Sequence, residues 1–335
     1  MQDTILDLES LRAAAGSGPL LILPHDNPDP DALASGKALA ELFAAWGIKS
    51  DLRYSGLVLR AENRALLTLL TPEWERRIAY IDTTPYSAVA LVDTQPGAGN
   101  NSLPADVIPN IVFDHHNPRR DALHDVAFVD VRPDIGATVT IIDEYMQAAG
   151  VEPDPNLATA MFYGLKTDTR GLSRGATEAD VAVYLRLLGQ IDHEQLIKIE
   201  QAGLPAEYFK AFAQGLGAAR VYGRAIVAYL GDVHRPDLPA EMADLLIRLD
   251  RTRAVLCLGV HEDTLHLSIR TRPLSQDAGL LVQQVIVPPG KAGGHGMMAG
   301  GQVPLKGQDV GPLVAQITDR FLQVMGEEGQ GEPLT

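Results

Sequence analysis

Four short segments of the chain group acidic residues and histidines at spacings that could bind metal ions. The first, HDNPDPD, directly follows the apolar run PLLILP and places one histidine and three aspartates within seven positions. In the second segment a lone aspartate follows the run AVALV, and in the third a triplet Asp-His-His follows the run NIVF. The fourth segment, GLKTD, ends in an aspartate. The candidate functional residues in these segments are His25, Asp29, Asp31, Asp93, Asp114, His115, His116 and Asp168.

Imidazole and carboxylate side chains, without thiolates, are the ligands of a hard divalent cation such as Mn²⁺ or Mg²⁺, and imidazole favours Mn²⁺. So many carboxylates at one place would repel one another unless cations lay between them. Each segment alone has a simpler interpretation. The run Asn-Pro-Asp-Pro-Asp is typical of turns, Asp29 of a helix cap, and paired histidines of surface loops. The prediction of a metal site therefore depends on the four segments together.

Apolar runs alternate with helical patterns through the first half of the chain, which predicts an α/β fold with a mainly parallel sheet. Strands are predicted at 19–25, 87–94 and 110–116. Helices are predicted at 31–47, 138–150 and 156–165. The first three acidic segments then follow strands at their carboxyl ends, where open α/β sheets bind ligands.

The second half begins with helical, polar-faced segments and continues with further strands. Strands are predicted at 224–233, 253–260 and 264–272, the last two as a hairpin. The predicted organisation is a first domain over 1–190, a helical linker over 191–217, a smaller α/β domain over 218–325 and a disordered tail over 326–335.

Composition excludes several classes of function. The formal net charge of −15 argues against a broad basic surface for long duplex nucleic acid. No apolar stretch approaches the roughly 18 residues of a membrane helix, and the acidic N-terminus lacks the layout of a secretory signal. The single cysteine, Cys257, excludes an internal disulfide. These features predict a cytoplasmic protein without a membrane partner, and a homodimer is left open.

The acidic segments, taken in order, resemble the motifs of the DHH phosphoesterase superfamily. The matching patterns are H-x-N-P-D-x-D-A, a lone Asp after a strand, D-H-H and G-x-x-T-D-T. The segment KAGGHGMMAGG is similar to the glycine-rich signature of the associated DHHA1 domain, with departures at Ala292 and Met298. The resemblance extends from about residue 18 to about residue 325 and implies a DHH domain joined by a helical linker to a DHHA1 domain, with the active site in the cleft.

The resemblance also implies a role for each candidate. His25, Asp29 and Asp93 would bind one divalent cation. A second cation would be held by Asp31, Asp93, His115 and Asp168, so that Asp93 bridges the two. Asp114 would orient a histidine ring, and His116 would face the substrate phosphate. From the second domain, the predicted substrate-binding residues are Arg270, Gly293, Gly294 and His295, the last three in a loop over 293–301.

These features predict a two-metal phosphoesterase that uses activated water on short nucleotides, such as oligonucleotides of a few residues, pAp or linear dinucleotides. A cyclic-dinucleotide phosphodiesterase stays open because such enzymes share both domains. A pyrophosphatase or polyphosphatase would use the same first domain, and the GGHGMMAGG segment speaks against it. From another class, a nucleotide-binding regulator without turnover also stays open, and the unbroken set of ligands argues against it.

Overall fold

A computed structural model describes residues 6–77, 81–272 and 275–335, except for the side chain of His295. The chain forms two compact units, Met1–Ala202 and Gly203–Thr335. The boundary between them falls inside the linker predicted over 191–217, so the two helices of that segment belong to different units. Among the described residues, no helix combines the length and the apolar character needed to cross a bilayer.

The first unit is built on a sheet in which every neighbouring pair of strands is parallel, as predicted. Its strands are β1 Leu20–Pro24, β2 Ser50–Tyr54, β3 Glu75–Arg76, β4 Ala88–Val92, β5 Ile111–Asp114 and β6 Phe128–Val131. Their order across the sheet is β3-β2-β1-β4-β5-β6. The chain runs outward from β1 in one direction and from β4 in the other, so the direction of winding reverses between these two strands. The carboxyl ends of strands beside such a switch form a natural crevice.

Helices cover this sheet and supply much of its core. They are α1 Leu8–Ala15, α2 Pro30–Ala45, α3 Ala61–Leu69, α4 Thr138–Ala148, α5 Pro155–Asp168, α6 Glu178–Leu188 and α7 His193–Glu200. The start of α2 is as predicted: the Asp29 side chain accepts from the amide of Ala32 at 3.0 Å, and Pro30 occupies the first turn. Gly47 follows the end of α2 with a positive φ of 77°.

Strand β1 is buried on both faces, which explains its continuous apolar sequence. Leu20 and Ile22 pack into the core formed with the helices. Leu21 and Leu23 face a second apolar cluster, which also contains Leu123 of the short 3₁₀ helix Asp121–Asp125. The residues that follow β1 therefore leave a strand whose position is fixed from both sides.

Helices α2 and α5 approach each other closely at Gly164. A Cβ atom at this position would lie 3.0 Å from both the Cα of Asp31 and the carbonyl oxygen of Pro30. The absence of a side chain thus lets α5 pack directly on the first turn of α2, where two of the candidate ligands lie.

The second unit contains a mixed sheet, in agreement with the predicted α/β class. Its strands are β7 Arg220–Tyr222, β8 Ala225–Asp232, β9 Ala254–His261, β10 Thr264–Thr271, β11 Lys291–His295, β12 Met298–Pro304 and β13 Glu332–Pro333. The order is β11-β12-β10-β9-β8-β7-β13, and only the pair β8 and β9 is parallel among these described strands. The helices are α8 Ala206–Ala218, α9 Leu238–Leu246, α10 Ala278–Val285 and α11 Val310–Met325.

Two segments of this unit differ from the sequence prediction. The tail over 326–335 was predicted to be disordered, but Glu332–Pro333 pairs antiparallel with β7, which supplies the backbone partners that composition cannot reveal. The glycine-rich segment was predicted as a loop over 293–301, but it forms the hairpin β11–β12, which adds to the edge of the sheet beside β10.

The close approach at Gly164 gives a test of how tightly the first turn of α2 is held. Gly164→Val places branched carbon atoms against the backbone of Asp31, so we expect a loss of about 1–3 kcal/mol in the free energy of unfolding. Urea denaturation measures it. The matched control is Gly217→Val, also within a helix, where a Cβ meets nothing within 4 Å. Equal losses in the two variants would contradict the close packing of α2 and α5.

Candidate active site

The candidate residues converge at the carboxyl ends of three adjacent strands. His25 follows β1, Asp93 follows β4, and Asp114 ends β5, with His115 and His116 directly after it. Strand β4 lies between β1 and β5 in the sheet. Asp93 is therefore central, between the histidines that follow its two neighbouring strands.

Asp93 adopts a backbone conformation that is uncommon for a residue other than glycine. Its φ is 61°, its side chain is 1% exposed, and its amide donates to the carbonyl of Phe113 at 2.8 Å. Left-handed backbone of this kind is concentrated at functional sites, because the surrounding structure must hold it in place. The Asp93 carboxylate lies close to the residues that follow the two neighbouring strands.

The two oxygens of Asp93 face different histidines. Oδ2 lies 3.5 Å from Nε2 of His25, and Oδ1 lies 3.5 Å from Nε2 of His115. Oδ1 also accepts from the Thr138 hydroxyl at 2.8 Å. The carboxylate thus stands between two imidazole nitrogens, as a bridge between two cations would.

Both of these imidazole rings are oriented by hydrogen bonds to backbone carbonyls. Nδ1 of His25 lies 2.9 Å from the carbonyl of Asp26, and Nδ1 of His115 lies 3.1 Å from the carbonyl of Ile135. Since a carbonyl only accepts, Nδ1 donates in each ring, and Nε2 is directed toward the carboxylates. This is the usual arrangement of a metal-binding histidine.

Two of the other acidic candidates lie within helices. Asp31, in the first turn of α2, is fully buried and accepts from the amides of Thr138 at 2.7 Å and Val139 at 2.9 Å. Asp168, the last residue of α5, places Oδ2 3.2 Å from Nε2 of His115. The positive ends of α2 and α4 therefore both act on Asp31.

The site has the character of a cation-binding cluster. Three groups have ligand atoms within 4.8 Å of one another: His25, Asp29 and Asp93; Asp31, His115 and Asp168; and Asp93, His115 and His116. All six predicted metal ligands are thus brought together. Their role as ligands stays a prediction.

Two buried atoms show that this donor set fits divalent cations. Oδ2 of Asp93 and Nε2 of His115 are buried and lack a hydrogen-bond partner among the described residues. Such orphaned polar atoms are costly in a protein interior. A cation coordinated by both carboxylate and imidazole would satisfy them.

The electrostatics also indicate a deficit of positive charge. Burial raises the pKa of Asp31 well above its ordinary value, and the charges of Asp93 and Asp168 raise it further. Burial lowers the pKa of His115, but the neighbouring carboxylates outweigh this effect and hold that pKa well above its usual range. Protons are therefore drawn into the cluster, and binding of a divalent cation would displace them.

Next to this cluster, Asp114 and His116 form a hydrogen-bonded pair. Oδ1 of Asp114 lies 2.8 Å from Nδ1 of His116, whose side chain is 40% exposed. Burial raises the pKa of the Asp114 carboxyl, but the hydrogen bonds from His116 and Gln95 outweigh it and lower that pKa. The arrangement agrees with an aspartate that orients a histidine ring, although the predicted roles of both residues stay predictions.

Two residues of the site were missed in the sequence. Thr138 donates to both Asp31 and Asp93, and Gln95 donates to Asp114. In the sequence, Thr138 is an ordinary first residue of a helix. Its contacts with Asp31 and Asp93 form only because the fold brings α4 close to α2, which the sequence does not reveal. Gln95 does carry a signal, because it lies two positions after the lone aspartate and before a proline.

In the second unit, Arg270 is a buried residue of β10 and has several partners. Its Nε donates to Oδ1 of Asp244 at 2.6 Å, and its Nη1 donates to the hydroxyl of Ser268 at 2.8 Å. The guanidinium is thus held by an ion pair with α9, which is a role that the sequence did not reveal. Its predicted contact with substrate stays a prediction.

Gly293 and Gly294 of the glycine-rich hairpin are both exposed, but they differ in the space that a side chain would find. Gly293 is exposed, and a Cβ added there would meet nothing within 4 Å. A Cβ at Gly294 would lie 2.4 Å from the carbonyl oxygen of Met298, so close strand pairing alone requires this glycine. The side chain of His295 lies outside the described residues. Substrate binding by these three residues stays a prediction.

A parallel α/β sheet with a cluster of carboxylates and imidazoles at a topological switch defines a class, that of α/β domains with a candidate cation site at the carboxyl ends of their strands. Comparison with protein families names it: residues 19–165 match the DHH family, N-terminal domain. The first unit therefore contains the N-terminal domain of the DHH family, which confirms the recognition of that family from the sequence motifs.

Comparisons with individual proteins agree. The chain is 34% identical over 290 residues to the uncharacterized protein MJ1633 of Methanocaldococcus jannaschii, covering 86% of this chain and 58% of that protein, which is thus considerably longer. It is 25% identical over 320 residues to the bifunctional oligoribonuclease and PAP phosphatase NrnA of Thermus thermophilus, covering 94% and 91% of the two chains. The crystal structure of an exopolyphosphatase-related protein from Bacteroides fragilis has the same fold, with a TM-score of 0.76, 13% identity and 96% and 97% coverage.

Metal binding at this cluster can be tested without an activity assay. A cation present at about 100 times its Kd stabilises the folded state by about 2.7 kcal/mol, so Mn²⁺ should raise the melting temperature. Asp93→Asn keeps the left-handed backbone accessible but removes the bridging charge, so most of this shift should disappear.

The control for this measurement is Asp106→Asn, which removes an exposed aspartate outside the cluster and should leave the shift intact. A full Mn²⁺-induced shift in Asp93→Asn would contradict the central position of this carboxylate.

Proposed function

We propose that the protein is a metal-dependent phosphoesterase that hydrolyses phosphodiester or phosphomonoester bonds of short nucleotides. The observation that carries this proposal is the position of Asp93 between His25 and His115, with buried ligand atoms that have no hydrogen-bond partner among the described residues. A carboxylate shared between two such sets of ligands is suited to a pair of divalent cations.

His25, Asp29 and Asp93 would hold one cation, and Asp31, Asp93, His115 and Asp168 would hold the other. Cations bound there would polarise the phosphoryl oxygens and make an activated water available near neutral pH. The mixture of imidazole and carboxylate favours Mn²⁺ over Mg²⁺. The backbone amides at the start of α4 keep Asp31 oriented toward the cluster, since they bind both of its oxygens.

His116 and Asp114 act on the substrate side of the cluster in this proposal. The carboxylate of Asp114 accepts from Nδ1 of His116, which leaves Nε2 as the ring atom directed away from that carboxylate. His116 would then bind the substrate phosphate through Nε2 and hold it for attack. The partial exposure of this side chain supports contact with a ligand from solvent.

Short nucleotides are the proposed substrates for two reasons. The net charge of −15 disfavours long polyanions, which require an extended basic surface. The relative from Thermus thermophilus, which aligns with nearly the whole chain, is by its name an oligoribonuclease and PAP phosphatase. We propose that the second unit contributes Arg270 and the glycine-rich hairpin to binding of the substrate. A cytoplasmic location stays a prediction, and a homodimeric state stays open.

Steady-state kinetics on a panel of substrates tests the activity. With Mn²⁺, we expect a higher kcat/KM for pAp or a linear dinucleotide than for cyclic-di-AMP or pyrophosphate, and we expect EDTA to abolish turnover. Preference for cyclic-di-AMP would establish the cyclic-dinucleotide alternative, and preference for pyrophosphate the pyrophosphatase. Absence of turnover on every compound, with Mn²⁺ bound, would reject the phosphoesterase proposal in favour of a regulator.

The proposed role of Arg270 predicts an effect on substrate binding. Loss of a charged hydrogen bond to phosphate in Arg270→Ala should raise KM about tenfold or more, with Mn²⁺ affinity unchanged. Asp244→Asn is the matched control, because it breaks the same ion pair and leaves the guanidinium in place. A KM that rises equally in both variants would show that Arg270 acts only through the structure of its own unit.

A further inference from the structure

Gln95 is a buried amide at the edge of the site that the proposed chemistry does not use. It is 2% exposed and lies two residues after Asp93. Its Nε2 donates to Oδ2 of Asp114 at 2.7 Å and to the carbonyl of His116 at 3.0 Å, and its Oε1 accepts from the amide of Arg120 at 2.8 Å. The side-chain amide nitrogen and oxygen of Gln95 therefore both have partners. All of these partners lie at the end of β5 or in the segment that follows it.

The first consequence concerns the Asp114 carboxylate. Gln95 binds one of its oxygens and Nδ1 of His116 lies beside the other, at 2.8 Å. Since each oxygen has its own partner, rotation of the carboxylate would break a buried hydrogen bond. The imidazole of His116 is thereby fixed at one nitrogen by an acceptor that is itself fixed by Gln95.

The second consequence concerns the backbone after His116. Gln95 binds the carbonyl of His116 and the amide of Arg120, so one side chain holds both ends of the segment 116–120. This segment carries the ring of His116 at its start. Movement of the segment would displace the ring even if Asp114 stayed in place.

Gln95 can hold these groups because its own backbone is anchored. Its carbonyl accepts from the amide of Ala98 at 3.2 Å and from the side-chain amide of Asn101 at 3.0 Å. Asn101 also donates to the hydroxyl of Thr94 at 3.0 Å. The turn after Asp93 is therefore a rigid support, and it connects the position of the candidate bridging carboxylate to that of His116.

We propose that Gln95 is a positioning residue for phosphoester hydrolysis, which fixes His116 and the segment 116–120 against the substrate. This inference rests on the proposed function. It assigns to Gln95 an effect on the rate of turnover that is separate from metal binding, because its side chain hydrogen-bonds to Asp114, His116 and Arg120 and to none of the six predicted ligands. Precise support of a reacting group by its neighbours is what such a site requires.

Two substitutions remove the hydrogen bonds of Gln95 without adding a charge. Gln95→Met keeps the length of the side chain and removes all three bonds. Gln95→Leu removes the same three bonds with a shorter side chain, so that only the loss of the bonds is common to both variants. If these bonds position Asp114 and His116, both variants should lower kcat by about 10- to 100-fold, the range for outer partners of metal sites, with KM changed less than about threefold.

The control is Asn110→Leu. Asn110 lies directly before β5, and its side-chain oxygen accepts a hydrogen bond from the amide of Val89 in β4 at 3.0 Å. The substitution therefore removes a hydrogen bond between the same two strands, at the end opposite to the site. This variant should lose stability and keep kcat. Mn²⁺ affinity, measured by titration of the metal-free proteins, should stay within about threefold of wild type in all three variants, because the side chains of Gln95 and Asn110 hydrogen-bond to none of the six predicted ligands.

A double-mutant cycle tests whether Gln95 acts through His116. On a His116→Ala background, Gln95→Met should lower kcat far less than it does in the wild-type protein, because the group that it positions is gone. In the metal-free protein, the Nδ1 proton of His116 should give a protected ¹H–¹⁵N NMR signal that is lost in Gln95→Met.

The outcomes distinguish this inference from the proposed function. Absence of turnover in the wild-type protein would reject the phosphoesterase, whereas the NMR signal and Mn²⁺ titration would still report on Gln95. Wild-type turnover combined with an unchanged kcat in Gln95→Met would overturn only the positioning role. Fully additive effects of Gln95→Met and His116→Ala, or a loss of Mn²⁺ affinity that parallels kcat, would also overturn it.

Discussion

Mutual repulsion among buried carboxylates is the constraint on which the structure of the first unit depends. Aspartates from two strand ends and two helices meet at one edge of the sheet, where burial and like charge raise the pKa of Asp31. Oδ2 of Asp93 is buried and has no hydrogen-bond partner among the described residues. A divalent cation would relieve the repulsion and would also coordinate these ligand atoms. The cluster is therefore suited to the pair of cations that we propose.

The surrounding scaffold shows how such a cluster is kept in place. The reversal of winding between β1 and β4 brings strand ends together at which Asp93 takes a left-handed conformation. The first amides of α4 bind Asp31, and Gly164 lets α5 approach the same turn of α2. Farther out, buried Asp180 accepts from the amide of Gly136 and the hydroxyl of Thr140, which ties the start of α6 to the start of α4. Strain at the centre is thus supported by packing and hydrogen bonds around it.

Much of the site could be predicted because its ligands lie in short local patterns. The cap and first turn of α2, the strands before the acidic segments and the convergence of those segments follow from apolar runs and strand-end rules. Strand β2, with the sequence SDLRY, and strand β6, with FVDV, lack a continuous apolar run and were not predicted. Contacts between distant segments were also inaccessible. The hydrogen bonds of Gln95 and Thr138, and the ion pair of Arg270 with Asp244, exist only because the fold brings together residues far apart in the chain.

Anomalous diffraction from crystals grown with Mn²⁺ tests the central claim most directly, because it locates the cations without reference to activity. The account predicts two peaks, about 3.5–4 Å apart, on either side of the Asp93 carboxylate. One peak should lie beside His25 and Asp29, and the other beside His115 and Asp168. A cluster that stayed empty at saturating Mn²⁺, or a single ion bound away from Asp93, would contradict it.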